Sequence, residues 1–131
     1  KHLLDEGFEV TDLGTDNLNP QDDYVDFGLK VAQATVADPQ NRGILLCGSG
    51  AGIDMVANKI KGIRSALVFD LPRSVQARQH EDANVLTLPS DILDEETAFE
   101  ITKAFLTTEF SGEERHLRRL EKMKKVEQEN A

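Results

Sequence analysis

The chain has 131 residues, of which 39% are hydrophobic, and this is enough for one buried core of ordinary size. We therefore expect a single domain over residues 1–131. Its net charge of −9 disfavours a surface that binds nucleic acid or anionic membranes, because such polyanions would be repelled. One cysteine cannot form an internal disulfide, and no signal peptide or membrane-length apolar run is recognisable, so we expect a cytoplasmic protein.

The opening residues, 1–7, have the pattern of a helix that ends before Gly7, a residue suited to the position just past a helix end. Short apolar runs then alternate with longer stretches of helical spacing. The apolar runs, which we predict to be strands, are 8–10, 43–48, 64–70 and 84–88. The helical stretches are 23–37, 50–60, 72–81 and 93–108. This alternation predicts an α/β fold, a doubly wound three-layer α/β/α sandwich with a Rossmann-like parallel sheet.

The end of the chain, residues 112–131, predicts an amphipathic helix that packs on the body or on a partner subunit. Residues 113–131 carry six Lys/Arg and five Asp/Glu, whereas the rest of the chain carries nine and nineteen. In this more basic segment, Arg115 and Arg119 are four residues apart and share one helical face, where they can bind a phosphate together. Taken alone, the two arginines are better explained as a solvated face with Glu–Arg pairs.

A glycine-rich turn, CGSGAG over residues 47–52, follows the second apolar run. Its backbone amides and the start of the next helix favour an oxyanion or phosphate at the carboxyl end of a strand. The pattern is neither a P-loop nor a dinucleotide fingerprint, since GK[ST] and a well-placed acidic residue are missing. The same amides stabilise a thiolate, which makes Cys47 a candidate base or nucleophile. A buried, inert cysteine is the alternative.

A histidine, His80, lies at the end of the helix predicted over residues 72–81. Its imidazole can transfer protons near neutral pH. A histidine at this end of a helix also interacts favourably with the helix dipole and then needs no chemical role. From the residues alone, the second explanation is the better one and the first stays open.

Four segments, in this order, carry a resemblance to a known family: GILLCGSGAGIDMVANK, GIRSALV, ARQHEDANVL and RHLRR. They resemble the ribose-5-phosphate isomerase B family, which includes galactose-6-phosphate isomerase subunits, and the resemblance covers nearly the whole chain. It implies an aldose–ketose isomerase of the pentose phosphate pathway that interconverts ribose 5-phosphate and ribulose 5-phosphate, or a related sugar phosphate. The implied reaction passes through a cis-enediolate without a metal or cofactor. The implied assembly is a homodimer, or a tetramer, whose sites contain residues of two subunits.

The resemblance also implies roles for individual residues. Cys47 matches the family's base, Ser49 the residue that assists proton transfer, and His80 the group that opens the sugar ring. The residues implied on the substrate and phosphate side are Tyr24, Gly48, Gly50, Ala51, Gly52, Asn58, Glu81, Arg115 and Arg119. An enediolate needs a base beside the carbon, donors beside the oxyanion and a handle that orients the substrate, and this set provides all three.

Differences from the family pattern favour a second function. Glu81 stands where the family has an asparagine, and Asp91 where it has an arginine, so an anion replaces a cation near an expected ligand contact. The family also begins with a strand that ends in an Asp-His pair, and the chain starts after it, so we expect either a longer natural protein or a structurally compromised one. The alternative to an active isomerase is a non-catalytic or inactive sugar-phosphate-binding homologue or subunit.

Overall fold

The computed structural model describes residues 1–14 and 23–131 and contains, within these ranges, six helices and three strands. The helices are α1 His2–Asp5, α2 Tyr24–Val36, α3 Ala51–Ala57, α4 Leu71–Glu81, α5 Glu95–Thr107 and α6 Glu114–Glu129. The strands are β1 Gly43–Cys47, β2 Ser65–Leu67 and β3 Val85–Pro89. None of the helices in the described residues is long and apolar enough to cross a membrane.

The three strands form one parallel sheet in the order β1-β3-β2. The middle strand, β3, is buried along its whole length, and its Val85 lies opposite Gly43 of β1 and Ser65 of β2. Its sequence, VLTLP, suits this place, because a parallel strand that is covered on both faces needs apolar side chains on both. The parallel sheet predicted from the continuous apolar runs is confirmed.

Helices cover both faces of the sheet. On one face, α2 and α3 pack on the sheet through a buried cluster that includes Ala32, Ile53 and Val85. On the other face, α4 and α5 pack through a second cluster that includes Leu86 and Phe105. Successive residues of a strand point to opposite faces, so the neighbours Val85 and Leu86 of β3 enter different clusters. This arrangement is the predicted three-layer sandwich.

The first apolar run, residues 8–10, is not a strand in the described part of the chain, so this prediction is wrong. An apolar run forms a strand only where a neighbouring strand completes its backbone hydrogen bonds. Here Phe8 donates its backbone N–H to the Leu3 carbonyl at 3.0 Å, and this bond closes the turn after α1. Among the described strands β1 is therefore an edge strand, and its Leu46 is 58% exposed.

A buried arginine fixes the end of α4. Arg78 is 4% exposed and donates to the Asp82 carboxylate at 2.8 Å. It also donates to the carbonyls of Ala83 and Thr108, at 2.7 and 3.0 Å. Asp82 has a φ of 45°, the left-handed conformation that ends many helices. These bonds join the end of α4 to the segments before β3 and after α5, and they fix the backbone around His80.

Candidate active site

Cys47 is the last residue of β1, at the carboxyl edge of the sheet. The turn after β3 fixes the backbone that follows it. Ser90 donates its N–H to the Cys47 carbonyl at 2.9 Å, and Asp91 donates to the Gly48 carbonyl at 3.0 Å. The thiol is free and half-buried, and it packs at the margin of the core between the sheet and α3. Strand and turn therefore hold a nucleophilic atom in a defined place that is open on one side.

Gly50 makes the glycine-rich loop possible. Its φ is +79°, and a Cβ at this position would lie 2.6 Å from Leu67 Cδ1, so only glycine fits here. Next to it, Ser49 Oγ accepts the backbone N–H of Ala51 at 3.2 Å. The helix that follows, α3, has only seven residues, so we attribute the positive potential of the loop to its own amides and not to a helix dipole.

Tyr24, the first residue of α2, lies against this loop. A Cβ on Gly52 would be 2.8 Å from Tyr24 Cζ and 3.0 Å from its Oη, so the glycine permits the phenol ring to contact the backbone. The ring is 46% exposed. The structure thus brings Tyr24, Cys47 and Ser49 together around the loop.

An acidic side chain also approaches the loop. A Cβ on Gly48 would lie 3.1 Å from Asp91 Oδ2 and 3.3 Å from its Oδ1. The sequence singles out Asp91 because a cation is expected at this position. Its carboxylate lies beside amides that would bind an anion, so it opposes the binding of an anionic ligand more than an arginine would.

His80 lies at the other end of the sheet. The helix that carries it returns against the direction of the strands, so its end precedes the start of β3 at Val85. Cys47 instead lies opposite Pro89, at the end of β3. The four steps from Val85 to Pro89 span about 13 Å, so Cys47 and His80 of one chain do not meet. Glu81 lies beside His80, at the same end.

The ring of His80 stacks on a second histidine. His80 and His116 have ring centroids 4.3 Å apart and an interplanar angle of 30°. His116 is only 2% exposed, and its Nδ1 lies 2.6 Å from Ser111 Oγ. Burial lowers the pKa of His116, and the positive charges of His80 and Arg115 act in the same direction.

His116 is not among the site residues predicted from the sequence, although a signal for it exists. It precedes Leu120 by four residues and Met123 by seven, and this is the spacing of the apolar stripe of α6. A histidine on an apolar stripe is buried, and a buried imidazole needs partners for its nitrogens. The flanking arginines in RHLRR instead indicate charge and phosphate binding.

Arg115 and Arg119 lie at the same end of the molecule as this histidine pair. Arg115 Nε donates to Glu113 at 2.9 Å in an exposed ion pair. Arg119 is exposed one turn further along α6. The positive charges of both arginines reach His116 and contribute to the lowering of its pKa. They form a basic patch on an acidic protein, and such a patch can bind a phosphate.

The structure separates Asn58 from the site predicted for it. Asn58 follows α3 at the end opposite to the glycine-rich loop. Its Nδ2 donates to the Ser65 carbonyl at 3.0 Å, and its Oδ1 accepts the Ser65 N–H at 2.8 Å. Both polar groups of the amide are therefore used to join α3 to β2. This placement corrects the sequence assignment, because in this chain Asn58 supports the fold and does not reach the loop.

The remaining candidates form two groups at opposite ends of one chain. The group at the carboxyl edge contains Tyr24, Cys47, Gly48, Ser49, Gly50, Ala51 and Gly52. The group at the end of α4 contains His80, Glu81, Arg115 and Arg119. Within residues 1–14 and 23–131, no three His, Cys, Asp or Glu side chains are arranged to hold a metal ion.

The order of these elements can be compared with known proteins. Residues 1–123 match the sequence profile of the Ribose/Galactose Isomerase family. The chain belongs to this family. A relative in the family, the probable ribose-5-phosphate isomerase B of Mycoplasma pneumoniae, is 45% identical over 98% of this chain and 84% of the relative. Ribose-5-phosphate isomerase B of Escherichia coli is 41% identical over 97% of this chain and 84% of the relative.

Solved structures of the family have the same fold. Ribose-5-phosphate isomerase B of Mycoplasma genitalium, with bound ribulose-5-phosphate, matches with a TM-score of 0.91 and 40% identity. The match covers 98% of this chain and 84% of that one. The Clostridium thermocellum enzyme matches with a TM-score of 0.92 and 39% identity, over 99% of this chain and 86% of that one. Both the family resemblance and the fold class predicted from the sequence are confirmed.

Proposed function

We propose that this chain is an aldose–ketose isomerase that interconverts ribose 5-phosphate and ribulose 5-phosphate, a reaction of the pentose phosphate pathway. The observation that carries the proposal is the position of Cys47, a free thiol at a strand end beside a loop rich in backbone donors. Family membership supports the substrate, because its relatives are ribose-5-phosphate isomerases. The lone free thiol fits a reducing cytoplasm, which is the compartment we propose.

Cys47 acts as the base in this proposal. Its thiolate removes the proton on carbon 2 of the open-chain aldose, and the released electron pair forms a double bond to carbon 1 while the carbonyl oxygen becomes an oxyanion. A proton then passes from the carbon 2 hydroxyl to the carbon 1 oxygen. Finally the thiol returns its proton to carbon 1, the carbon 2 carbonyl forms, and the thiolate is restored.

The loop stabilises the enediolate between these two steps. Backbone N–H groups from Gly48 to Gly52, apart from that of Ala51, donate to the oxygen atoms on which charge develops. Ser49 Oγ accepts the Ala51 N–H, and this leaves its own O–H group to relay the proton between the two substrate oxygens. Tyr24 packs on the loop and bounds the space for the sugar.

His80 opens the sugar ring, and Arg115 and Arg119 bind the phosphate. As the bond between carbon 1 and the ring oxygen breaks, His80 donates a proton to the ring oxygen and the carbon 1 hydroxyl loses its proton to solvent. These groups and Cys47 lie at opposite ends of one chain, so a complete site needs two chains. We therefore propose a homodimer in which a two-fold axis pairs the Cys47 loop of each protomer with the α4 end of its partner.

A second candidate function, a non-catalytic sugar-phosphate-binding subunit, is favoured by one observation. Asp91 places a carboxylate against the loop that would hold the enediolate. A negative charge there weakens the stabilisation of an oxyanion while the distant arginines still bind a phosphate.

Turnover and binding assays on the purified chain distinguish the two functions. We expect ribulose 5-phosphate to appear from ribose 5-phosphate, followed by NMR, and binding of ribose 5-phosphate to be lost when Arg115 and Arg119 are both changed to glutamine. Arg118→Gln, an exposed arginine of the same helix, is the matched control and should bind normally. Binding without turnover of ribose 5-phosphate or galactose 6-phosphate would support the second function. If the chain neither turns over nor binds these sugar phosphates, both candidate functions are contradicted.

A further inference from the structure

Three contacts fix the ring that supports His80. His116 stacks on it with ring centroids 4.3 Å apart. Ser111 Oγ lies 2.6 Å from His116 Nδ1, and the backbone N–H of Ser111 donates to the Gln79 carbonyl at 3.1 Å. The segment before α6 is thereby joined to α4 one residue before His80. At 2% exposure, His116 has almost no space to move.

The other side of His80 is loosely held. Gln76 Nε2 lies 3.4 Å from His80 Nδ1, which is near the limit of a hydrogen bond. His80 is half-buried, whereas its stacking partner is buried. The orientation of the imidazole therefore depends mainly on the stack.

We propose that His116 is a positioning residue that holds the His80 imidazole in the orientation needed to open the sugar ring. The inference rests on the proposed function and adds to it a residue that acts without contacting the sugar itself. His116 acts through His80, because its own ring is buried beneath it. Ser111 contributes to the same positioning, because its contact with His116 Nδ1 fixes the rotation of the His116 ring.

The charges around His80 and His116 are consistent with a neutral His116 that supports His80. The charged groups whose fields reach His116 are His80, Glu113, Arg115 and Arg119. Burial is the first cause that lowers the pKa of His116, and only Glu113 acts in the opposite direction. A neutral His116 can stack on His80 without a second positive charge 4.3 Å away.

Ribose 5-phosphate and ribulose 5-phosphate differ in whether their ring must be opened. This difference distinguishes a role of His116 in positioning His80 from a role in stabilising the fold. Ribose 5-phosphate is mostly a closed ring and needs opening before its carbon 2 proton is accessible. Ribulose 5-phosphate has its terminal hydroxyl esterified, so it cannot close a five-membered ring and stays open. Exchange of its carbon 1 proton with deuterium from solvent requires the base and the loop, but no ring opening. Loss of His80 positioning should therefore affect turnover of ribose 5-phosphate and spare this exchange.

The experiment compares both rates in His116→Leu, His116→Phe and wild type. For His116→Leu we expect kcat for ribose 5-phosphate to fall about 10- to 100-fold, a part of what a general acid contributes. We expect the exchange rate of ribulose 5-phosphate to stay within about twofold, since transition-state contacts at carbon 1 are kept. His116→Phe retains a ring that can stack and should recover most of the lost turnover. His2→Leu, which removes an exposed histidine stacked on Phe99, is the matched control and should change neither rate.

Each other outcome contradicts the proposal in a distinct way. Equal losses in both rates would mean that His116 supports the fold or the arginines, and unchanged rates would mean that His80 needs no support. If His116→Leu does not fold, Ser111→Ala takes its place, and the same selective loss, smaller in size, is required. A wild-type chain that shows neither turnover nor exchange would remove the proposed function itself, and the inference with it.

Discussion

Cys47→Ala should reduce turnover of ribose 5-phosphate at least about 10³-fold, because it removes the proposed base and alanine has no group that can accept the carbon 2 proton. Deuterium exchange at carbon 1 of ribulose 5-phosphate should be lost with it. Binding of the substrate should survive, since the proposed phosphate ligands are on α6. Turnover, exchange and calorimetric binding are measured on the same preparation.

Cys47→Ser is the matched variant for this test. Serine keeps the size and polarity of the side chain, but its hydroxyl is a far weaker acid than a thiol and is not ionised at neutral pH. We expect Cys47→Ser to be as inactive as Cys47→Ala, with thermal unfolding close to that of wild type for both. Turnover near the wild-type rate in a folded variant would refute the role of Cys47 as the base.

A mixed dimer of Cys47→Ala and His80→Ala chains should recover about half of the wild-type activity, because one of its two sites combines Cys47 and His80 from different chains. Each variant alone should turn over ribose 5-phosphate slowly. Cys47→Ala lacks the base, and in His80→Ala turnover should fall about 10²-fold because the sugar ring opens more slowly. The two chains are co-expressed with different tags, and the mixed dimer is isolated by sequential affinity steps before turnover is measured.

The control is a mixed dimer of Cys47→Ala with a chain that carries both Cys47→Ala and His80→Ala. It contains no Cys47, so it should show no recovery. If the first mixed dimer is no more active than the His80→Ala protein alone, Cys47 and His80 do not combine across the subunits. A monomeric protein with full activity would contradict the shared site as well.

The sequence predicts β1 and β3 well for physical reasons. Both are continuous apolar runs, and a strand that helices cover on both faces has no other place for such residues. The glycine-rich loop can also be predicted, because the left-handed φ of Gly50 and its close approach to Leu67 require a glycine at this position. Local requirements of this kind leave a direct mark on the sequence.

Other features depend on contacts between distant segments and are harder to predict. The run at residues 8–10 has the composition of a strand, but among the described residues no strand pairs with it. The side-chain amide of Asn58 is hydrogen-bonded to the backbone of Ser65, and this partner cannot be identified from the sequence composition. The stack of His80 on His116 depends on how α6 crosses α4, and no local pattern specifies that crossing.

The central claim is that a base on this chain moves a proton between carbons 1 and 2 of ribose 5-phosphate. The most direct test is to run the reaction with the unmodified chain in D2O and to examine the ribulose 5-phosphate by NMR. We predict that ribulose 5-phosphate forms and gains deuterium at carbon 1 as the reaction approaches equilibrium, because the thiol exchanges its proton with solvent. Product that forms without any deuterium at carbon 1, or no product at all, would contradict the claim.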